Sequence, residues 1–265
     1  MKKLLSTLVL ALTVIVLTGT TVFASTTQDM PGLKKFSGKV SGALESNNDC
    51  AYYKYTATGK GYVKFAFSYE DASRDDWAVQ VRDKEGYVVG SLTGEVCNPN
   101  GAFMVKKGTV LYLYVMHGFS TSAGDVAGKK YTIKAKFTAK SLVETEDNNS
   151  LKTADKVSIG KTYLGAITAG GKDGNDIDYY KFKATKSKKY KVSLIYTKEL
   201  VSHGYDGLDV GVYDASNNQI VAKERVSAKT ALSFHGEKGK TYYVKVDGCD
   251  LWEIYTNTLY KLKIS

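Results

Sequence analysis

Proline, histidine, cysteine and arginine are all scarce here: 2 Pro, 3 His and 3 Cys in 265 residues, with Arg only at positions 74, 82 and 225. Each scarcity excludes something. Nucleic-acid sites favour Arg for bidentate and stacked contacts, so a net charge of +10 carried almost wholly by lysine does not point to nucleic acid. The histidines, His117, His203 and His235, are not set in a His-Glu-x-x-His pattern, so the common zinc-protease motif is absent. No Gly-x-Ser-x-Gly elbow occurs either. A nucleophilic pair of Cys249 with His235 has no local support. Asp75-Asp76 lies just before Trp77, and a glycosidase would need two carboxylates facing each other across a cleft; a solvated turn is the simpler reading. The chain reads as non-enzymatic.

The first residues point to export. Met1-Lys2-Lys3 is a short basic start, Leu4 to Val22 carries no charge, and Val22-Phe23-Ala24 offers small residues ahead of Ser25. This is the pattern of a secretory signal peptide over residues 1–24, although the apolar run is long enough for an uncleaved anchor. No Cys follows that run closely, so there is no lipobox, and Tyr260 to Ser265 carries no sorting signal. The expectation is a secreted, extracellular protein with no transmembrane segment after cleavage. Export permits disulfides. Cys50 and Cys97 lie in the same half and spacing leaves their pairing open, with Cys249 left over.

Aromatics are plentiful, with 20 Tyr and 9 Phe, and Gly is common at 25. With β-branched residues abundant and Pro rare, this composition favours an all-β protein over a disordered one. A repeat gives it form. Ala51-Tyr52-Tyr53-Lys54-Tyr55-Thr56-Ala57 lies against Asp178-Tyr179-Tyr180-Lys181-Phe182-Lys183-Ala184. Val63, Phe65 and Phe67 fall on Tyr190, Val192 and Leu194, and Trp77–Asp83 falls on Leu208–Asp214. Tyr112 to Gly118 is placed on Tyr242 to Gly248, and both copies close on an alternating strand, Tyr131 to Phe137 and Tyr260 to Ile264.

Within these segments apolar and polar residues alternate with period two, the mark of strands with one buried face. Tyr180, Phe182, Ala184, Tyr190, Val192 and Leu194 are expected inward, with Lys181, Lys183 and Lys191 outward. The sequence therefore predicts two tandem antiparallel β-sandwich, jelly-roll-like modules: residues 25–139, then an acidic connector plus second module over 140–265. The many lysines on alternating positions are either a solvated outer face or an attraction to an anionic cell wall or polysaccharide.

One run of motifs resembles a known family. Glu144-x-Glu146-x-Asn148-Asn149-Ser150, Gly165-Ala166-Ile167, Asp176-x-Asp178-Tyr179-Tyr180-Lys181-Phe182, Leu208-Asp209-Val210 and Tyr242-Tyr243-Val244-Lys245-Val246 follow in order. Together they resemble the bacterial pre-peptidase C-terminal domain, a family with β-sandwich modules similar to the collagen-binding domains of clostridial collagenases. The second copy matches over nearly its whole length. The first lacks the acidic leader, with Gln28-Asp29-Met30-Pro31 in its place. Such domains usually trail a secreted peptidase, and no peptidase is present in this chain.

Glu144, Glu146, Asn148, Asp173, Asp176 and Asp178 are all oxygen donors, the ligands calcium takes. The resemblance implies a calcium site built from the leader and the loop before the Asp-Tyr-Tyr strand; the alternative is a solvated linker beside an Asp-rich turn. Calcium is expected in the second copy alone, because the first has Lys34 and Lys35 ahead of it and Ala51 where the second has Asp178. For the ligand surface, the resemblance points to the strand carrying Tyr243 and Lys245, both outward. By alignment the first copy aims Leu111, Leu113 and Val115 outward, as a ligand surface, an inter-module seam or a second covered face. The expected function is attachment to an extracellular polymer, a fibrous protein or a wall polysaccharide. The alternative is an accessory, chaperone-like or inhibitory partner of a separately encoded secreted peptidase or hydrolase.

Overall fold

The computed structural model describes residues 30–93, 101–168, 176–196, 207–226, 228–248 and 258–265. The signal-peptide reading, Cys97, Cys249, His203 and Asp173 lie outside the described residues. Every regular element described is a strand, and among the described residues no helix is long and apolar enough to cross a membrane.

The first nine strands are β1 (Lys34–Phe36), β2 (Lys39–Ala43), β3 (Cys50–Thr56), β4 (Gly61–Tyr69), β5 (Trp77–Arg82), β6 (Val88–Ser91), β7 (Phe103–Val105), β8 (Val110–His117) and β9 (Lys130–Ala139). The second nine are β10 (Asp155–Lys156), β11 (Thr162–Ile167), β12 (Ile177–Lys183), β13 (Lys188–Tyr196), β14 (Leu208–Tyr213), β15 (Gln219–Val226), β16 (Lys229–Gly236), β17 (Thr241–Gly248) and β18 (Thr258–Ile264). The first set forms sheets β1-β3-β8-β5-β6 and β2-β9-β4-β7; the second forms β10-β12-β17-β14-β15 and β11-β18-β13-β16. Each strand of the second set stands where the strand nine places earlier stands in the first. Among the named strands, all pairings are antiparallel except β1 with β3 and β10 with β12.

Each copy closes its two sheets over one core, as an antiparallel sandwich does. Tyr180, Phe182, Val210, Val212 and Val244 from one sheet meet Tyr190, Val192, Leu194, Phe234 and Leu262 from the other. In the first copy Tyr53, Tyr55, Val79, Val81 and Leu113 meet Val63, Phe65, Phe103 and Ile133. The alternation read for β12 and β13 holds, with Lys183 and Lys191 exposed beside buried neighbours.

One face assignment is corrected. Leu111, Leu113 and Val115 point into the first core and are buried. Tyr55 pairs with Leu111 across β3 and β8, while its counterpart Phe182 pairs with Tyr242. Leu111 therefore corresponds to Tyr242, one residue from the alignment above, and a one-residue slip turns every side chain of a strand over. The residues that do face away from the core are Tyr112, Tyr114 and Met116, and this face is itself covered: Tyr112 is 4% exposed and Tyr114 5%, packed with Met30 and Leu33. Cys50, opposite Met116, carries a free thiol.

The acidic stretch between the copies is packed rather than strung out in solvent. Val143 bridges to Leu164, and the Glu144 N–H donates to the Leu164 carbonyl at 2.9 Å. Val143 joins an apolar seam in which Tyr62, Ala102 and Met104 of the first copy meet Leu164, Ala166 and Leu259 of the second. Beside it, Lys60 Nζ donates to Thr145 Oγ1 at 3.2 Å.

Candidate metal centre

The acids gather at one end of the second core. Asp178 lies two residues before Tyr180 on β12, so the pleat aims it inward with the core side chains, and it is fully buried. Glu144 arrives from the stretch laid along β11. Its Oε1 accepts from the Ala166 N–H at 2.7 Å, and its Oε2 accepts from Tyr180 Oη at 2.8 Å and lies 3.3 Å from Tyr260 Oη. Tyr260 Oη donates to Asp178 Oδ2 at 2.5 Å and lies 2.5 Å from Tyr180 Oη. Gly165 makes the room, because a β-carbon there would collide with the Tyr260 ring and Glu144 Oε2. Asp176, just ahead of β12, takes the Thr168 N–H at 2.6 Å and Thr168 Oγ1 at 2.9 Å on one oxygen. Asn148 is fully buried and its carbonyl accepts from the Tyr179 N–H at 3.1 Å.

Of the sequence-predicted ligands, the fold brings Glu144, Glu146 and Asp178 together, each offering an oxygen within 4.8 Å of the others. Asn148, in the same stretch as Glu144 and Glu146, and Asp176, just ahead of β12, are buried as well. Burial, with the neighbouring charges of Glu146 and Asp176, pushes the Glu144 carboxyl well above the usual range. Burial likewise raises Asp178, reinforced by Glu144 and Asp176, and raises Glu146, reinforced by Asp176 and Asp178. Asp176 is pushed up to about 6, chiefly by burial. Uncompensated, a cluster of this kind holds protons or a cation.

Several buried oxygens have no hydrogen-bond partner: Glu146 Oε1, Asn148 Oδ1, Asn149 Oδ1 and Asp178 Oδ1. Buried polar atoms are normally satisfied. These oxygens are acceptors without donors, which suits a hard cation, and Asn148 Nδ2, a donor, is unpartnered beside them. Two ligands at roughly 2.3–2.6 Å from one ion lie within about 5 Å of each other, and the carboxylate cluster meets that limit. The residues fit a divalent cation.

The first copy makes the contrast. It keeps the tyrosine pair, Tyr53 and Tyr131 with hydroxyls 2.7 Å apart, and the glycine, Gly42, beside them. Ala51 stands in the place of Asp178, and Asp49, in that of Asp176, is exposed and accepts from the Ser46 N–H at 2.7 Å. Its buried carboxylate, Asp76, is satisfied instead by the N–H groups of Ser73 and Gly124, each at 2.6 Å, which hold it below its ordinary range. Sequence reasoning missed Tyr180 and Tyr260 as members of the site; their recurrence as Tyr53 and Tyr131 was the available signal.

The second predicted surface lies on the outer face of β10-β12-β17-β14-β15. Tyr243 and Lys245 are half-buried there. Tyr243 stands opposite Lys181 and Tyr213, and Lys245 opposite Tyr179 and Gly211. Lys245 pairs with Asp247, and its pKa is raised by that partner against the opposing effect of burial, the largest single influence on it. A β-carbon at Gly211 would strike the Tyr213 ring, so glycine lets that ring lie flat along the face.

No family model matches the chain, and no curated protein matches it. Among solved structures it is similar to the pre-peptidase C-terminal domain of collagenase from Bacillus anthracis, at 20% identity and TM-score 0.31, covering 42% of this chain and 94% of that one. A periplasmic inhibitor of g-type lysozyme from Salmonella Typhimurium matches at 15% identity and TM-score 0.27, over 40% of this chain and 99% of that one. The tandem CBM51 modules of a family 98 glycoside hydrolase from Streptococcus pneumoniae match at 10% identity and TM-score 0.27, over 84% and 83%.

Proposed function

We propose that the chain is a secreted, non-catalytic binding protein of two pre-peptidase C-terminal-like modules, residues 25–139 and 140–265, the second held by calcium. Glu144, Glu146, Asn148, Asp176 and Asp178 are its ligand set, with Asp173 as a further donor. The bound ion supplies positive charge that lets buried carboxylates ionise together. The protein attaches to an extracellular polymer through Tyr243 and Lys245 of the second module. The observation that carries this reading is the row of half-buried Tyr179, Tyr213 and Tyr243 around Lys245 on the outer sheet face. Tyrosine gives rigid contact area with a polar tip. The matching face of the first module is closed by Met30 and Leu33, so one module binds. The accessory-partner reading has lost its docking stripe, since Leu111, Leu113 and Val115 are core residues.

Retention of the full chain on insoluble collagen, peptidoglycan and neutral glycans tests this. Tyr243→Ala should weaken binding to the retained polymer about tenfold or more, as truncating an interface tyrosine does, while Tyr112→Ala leaves it unchanged per folded molecule. Retention on none of the polymers, or full retention by Tyr243→Ala, would overturn the assignment.

A further inference from the structure

The eight strands of the two four-stranded sheets, β2-β9-β4-β7 and β11-β18-β13-β16, contain no Asp and no Glu. Lysine recurs on their outward positions. In the first copy Lys64 stands directly across from Lys136, and Lys39 directly across from Lys134. Their strand neighbours Val63, Phe65 and Ile133 lie in the core, and the hydroxyls of Ser41 and Thr132 meet at 2.7 Å on the outer side, next along the row from Lys39 and Lys134. None of the ion pairs among the described residues involves these lysines. Like charges placed directly opposite on one sheet face destabilise it, and no ion pair among the described residues offsets that cost here.

The second copy repeats the composition. Lys191, Lys261 and Lys263 are exposed on its outer face, and Lys263 is flanked by Thr162 and Ser193. Both faces border the same apolar seam, which takes Tyr62 and Met104 from the first and Leu164 and Leu259 from the second. The two cationic faces thus adjoin.

We infer that they form one docking surface for an extended acidic polysaccharide, a polymer with repeating carboxylate or phosphate groups. Charge complementarity names the sign of the partner. The residue types name its class. No Arg lies on these strands; the outward ring of the first face, Tyr62, is taken up in the seam, and that of the second, His235, stands exposed across from Lys189, so these strands lack a row of rings for stacking successive bases. Lysine acts as a point charge that tolerates variable geometry, and the interleaved hydroxyls of Ser41, Thr132, Thr162 and Ser193 suit a partner rich in hydroxyls. Recognition by exposed lysines weakens with salt. The surface is separate from the cation site and from Tyr243, and the inference rests on neither.

The test uses the full chain in chelator, with polygalacturonate as the carboxylate probe, a phosphorylated mannan as the phosphate probe, and neutral dextran and polyadenylate for comparison. Two triple variants are compared, Lys64→Ser with Lys134→Ser and Lys136→Ser, and Lys191→Ser with Lys261→Ser and Lys263→Ser. The expected result is binding to one or both acidic polysaccharides and not to dextran, lost at about 0.5 M salt, and weakened roughly tenfold in each triple variant. The first triple variant should melt no lower than the parent, since it removes a like-charge opposition; if a serine triple fails to fold, the glutamine triple is measured instead. Undiminished binding by both triples, or equal binding to dextran, would overturn the inference. Tighter binding to polyadenylate than to either acidic polysaccharide would overturn the polysaccharide assignment. Tyr243→Ala leaves polyanion binding intact if the two surfaces are distinct; a loss there would overturn the placement of this one.

Discussion

Calcium should raise the unfolding midpoint of the second copy by about 10 °C and leave that of the first where it is. A ligand that binds only the folded state adds about 2.7 kcal/mol at a hundredfold excess over its dissociation constant, and for a domain of this size each kcal/mol moves the midpoint by several degrees. The physical basis is the group of acceptors without donors, Glu146 Oε1, Asn148 Oδ1 and Asp178 Oδ1, in a cluster whose carboxyls burial forces toward protonation. Calorimetry of the full chain in calcium and in chelator reads both transitions. A single midpoint unmoved by millimolar-range calcium would leave the site without a cation, and a shift that survives Glu144→Gln combined with Asp178→Asn would place the ion elsewhere.

The same cluster sets the sign of the pH dependence. In chelator, the folded-state carboxyls are raised, Asp176 to about 6 and Glu144, Glu146 and Asp178 well above their ordinary range. Between about pH 4, where unfolded carboxyls ionise, and those raised values, the folded chain holds protons that the unfolded chain has released. Stability from this source is complete at the acid end and falls as pH rises through the window. A cation requires the ionised ligands, so its contribution grows in the same direction. The gap between the calcium and chelator midpoints should therefore widen from about pH 5 to pH 7.5; a constant gap would detach these acids from the ion.

The inward faces of the strands were legible where the other face is wet. On β12 and β13 the alternation of Tyr180, Phe182, Tyr190 and Val192 with lysines fixed the inward set, because each wrong register would bury charge. On β8 that signal vanishes. Leu111-Tyr112-Leu113-Tyr114-Val115-Met116 is apolar at every position because the core lies on one side and Met30 on the other, so the pattern could not resolve the register. The acidic stretch misled in a different way. Its composition is that of a solvated linker, yet Glu144 and Asn148 are buried, since polar atoms that converge on a shared charge need not face water. The oxygen donors were visible as residue types, and the family resemblance grouped them. The tyrosine hydroxyls that complete the site were not, since Tyr180 and Tyr260 look in sequence like any inward aromatic.

Replacing Tyr180 with Ser should cost the second copy about 3–5 kcal/mol, the range for large-to-small changes in a packed core. The side chain is fully buried, its ring meets that of Tyr260 edge-on at 6.4 Å, and its hydroxyl donates to Glu144 at 2.8 Å. Phe67→Ser, at a half-buried position in the first core, should cost less, and Lys181→Ser on the outer face should cost under about 1 kcal/mol. Denaturant midpoints measured copy by copy decide the ranking, and equal losses at Phe182→Ser and Lys181→Ser would mean the face is wrong. The hydroxyl alone separates the copies further. Tyr180→Phe keeps the ring but withdraws a donor from a buried carboxyl, a bond worth about 1.5–3 kcal/mol when the acceptor is charged. Tyr53→Phe withdraws only a neutral contact with Tyr131 at 2.7 Å, worth about 0.5–1.5 kcal/mol. Tyr180→Phe should therefore lose more than Tyr53→Phe where Glu144 is ionised, and the difference should shrink as falling pH protonates that raised carboxyl, which then carries its own hydrogen. A difference that ignores pH would show that Tyr180 Oη does not serve the carboxyl.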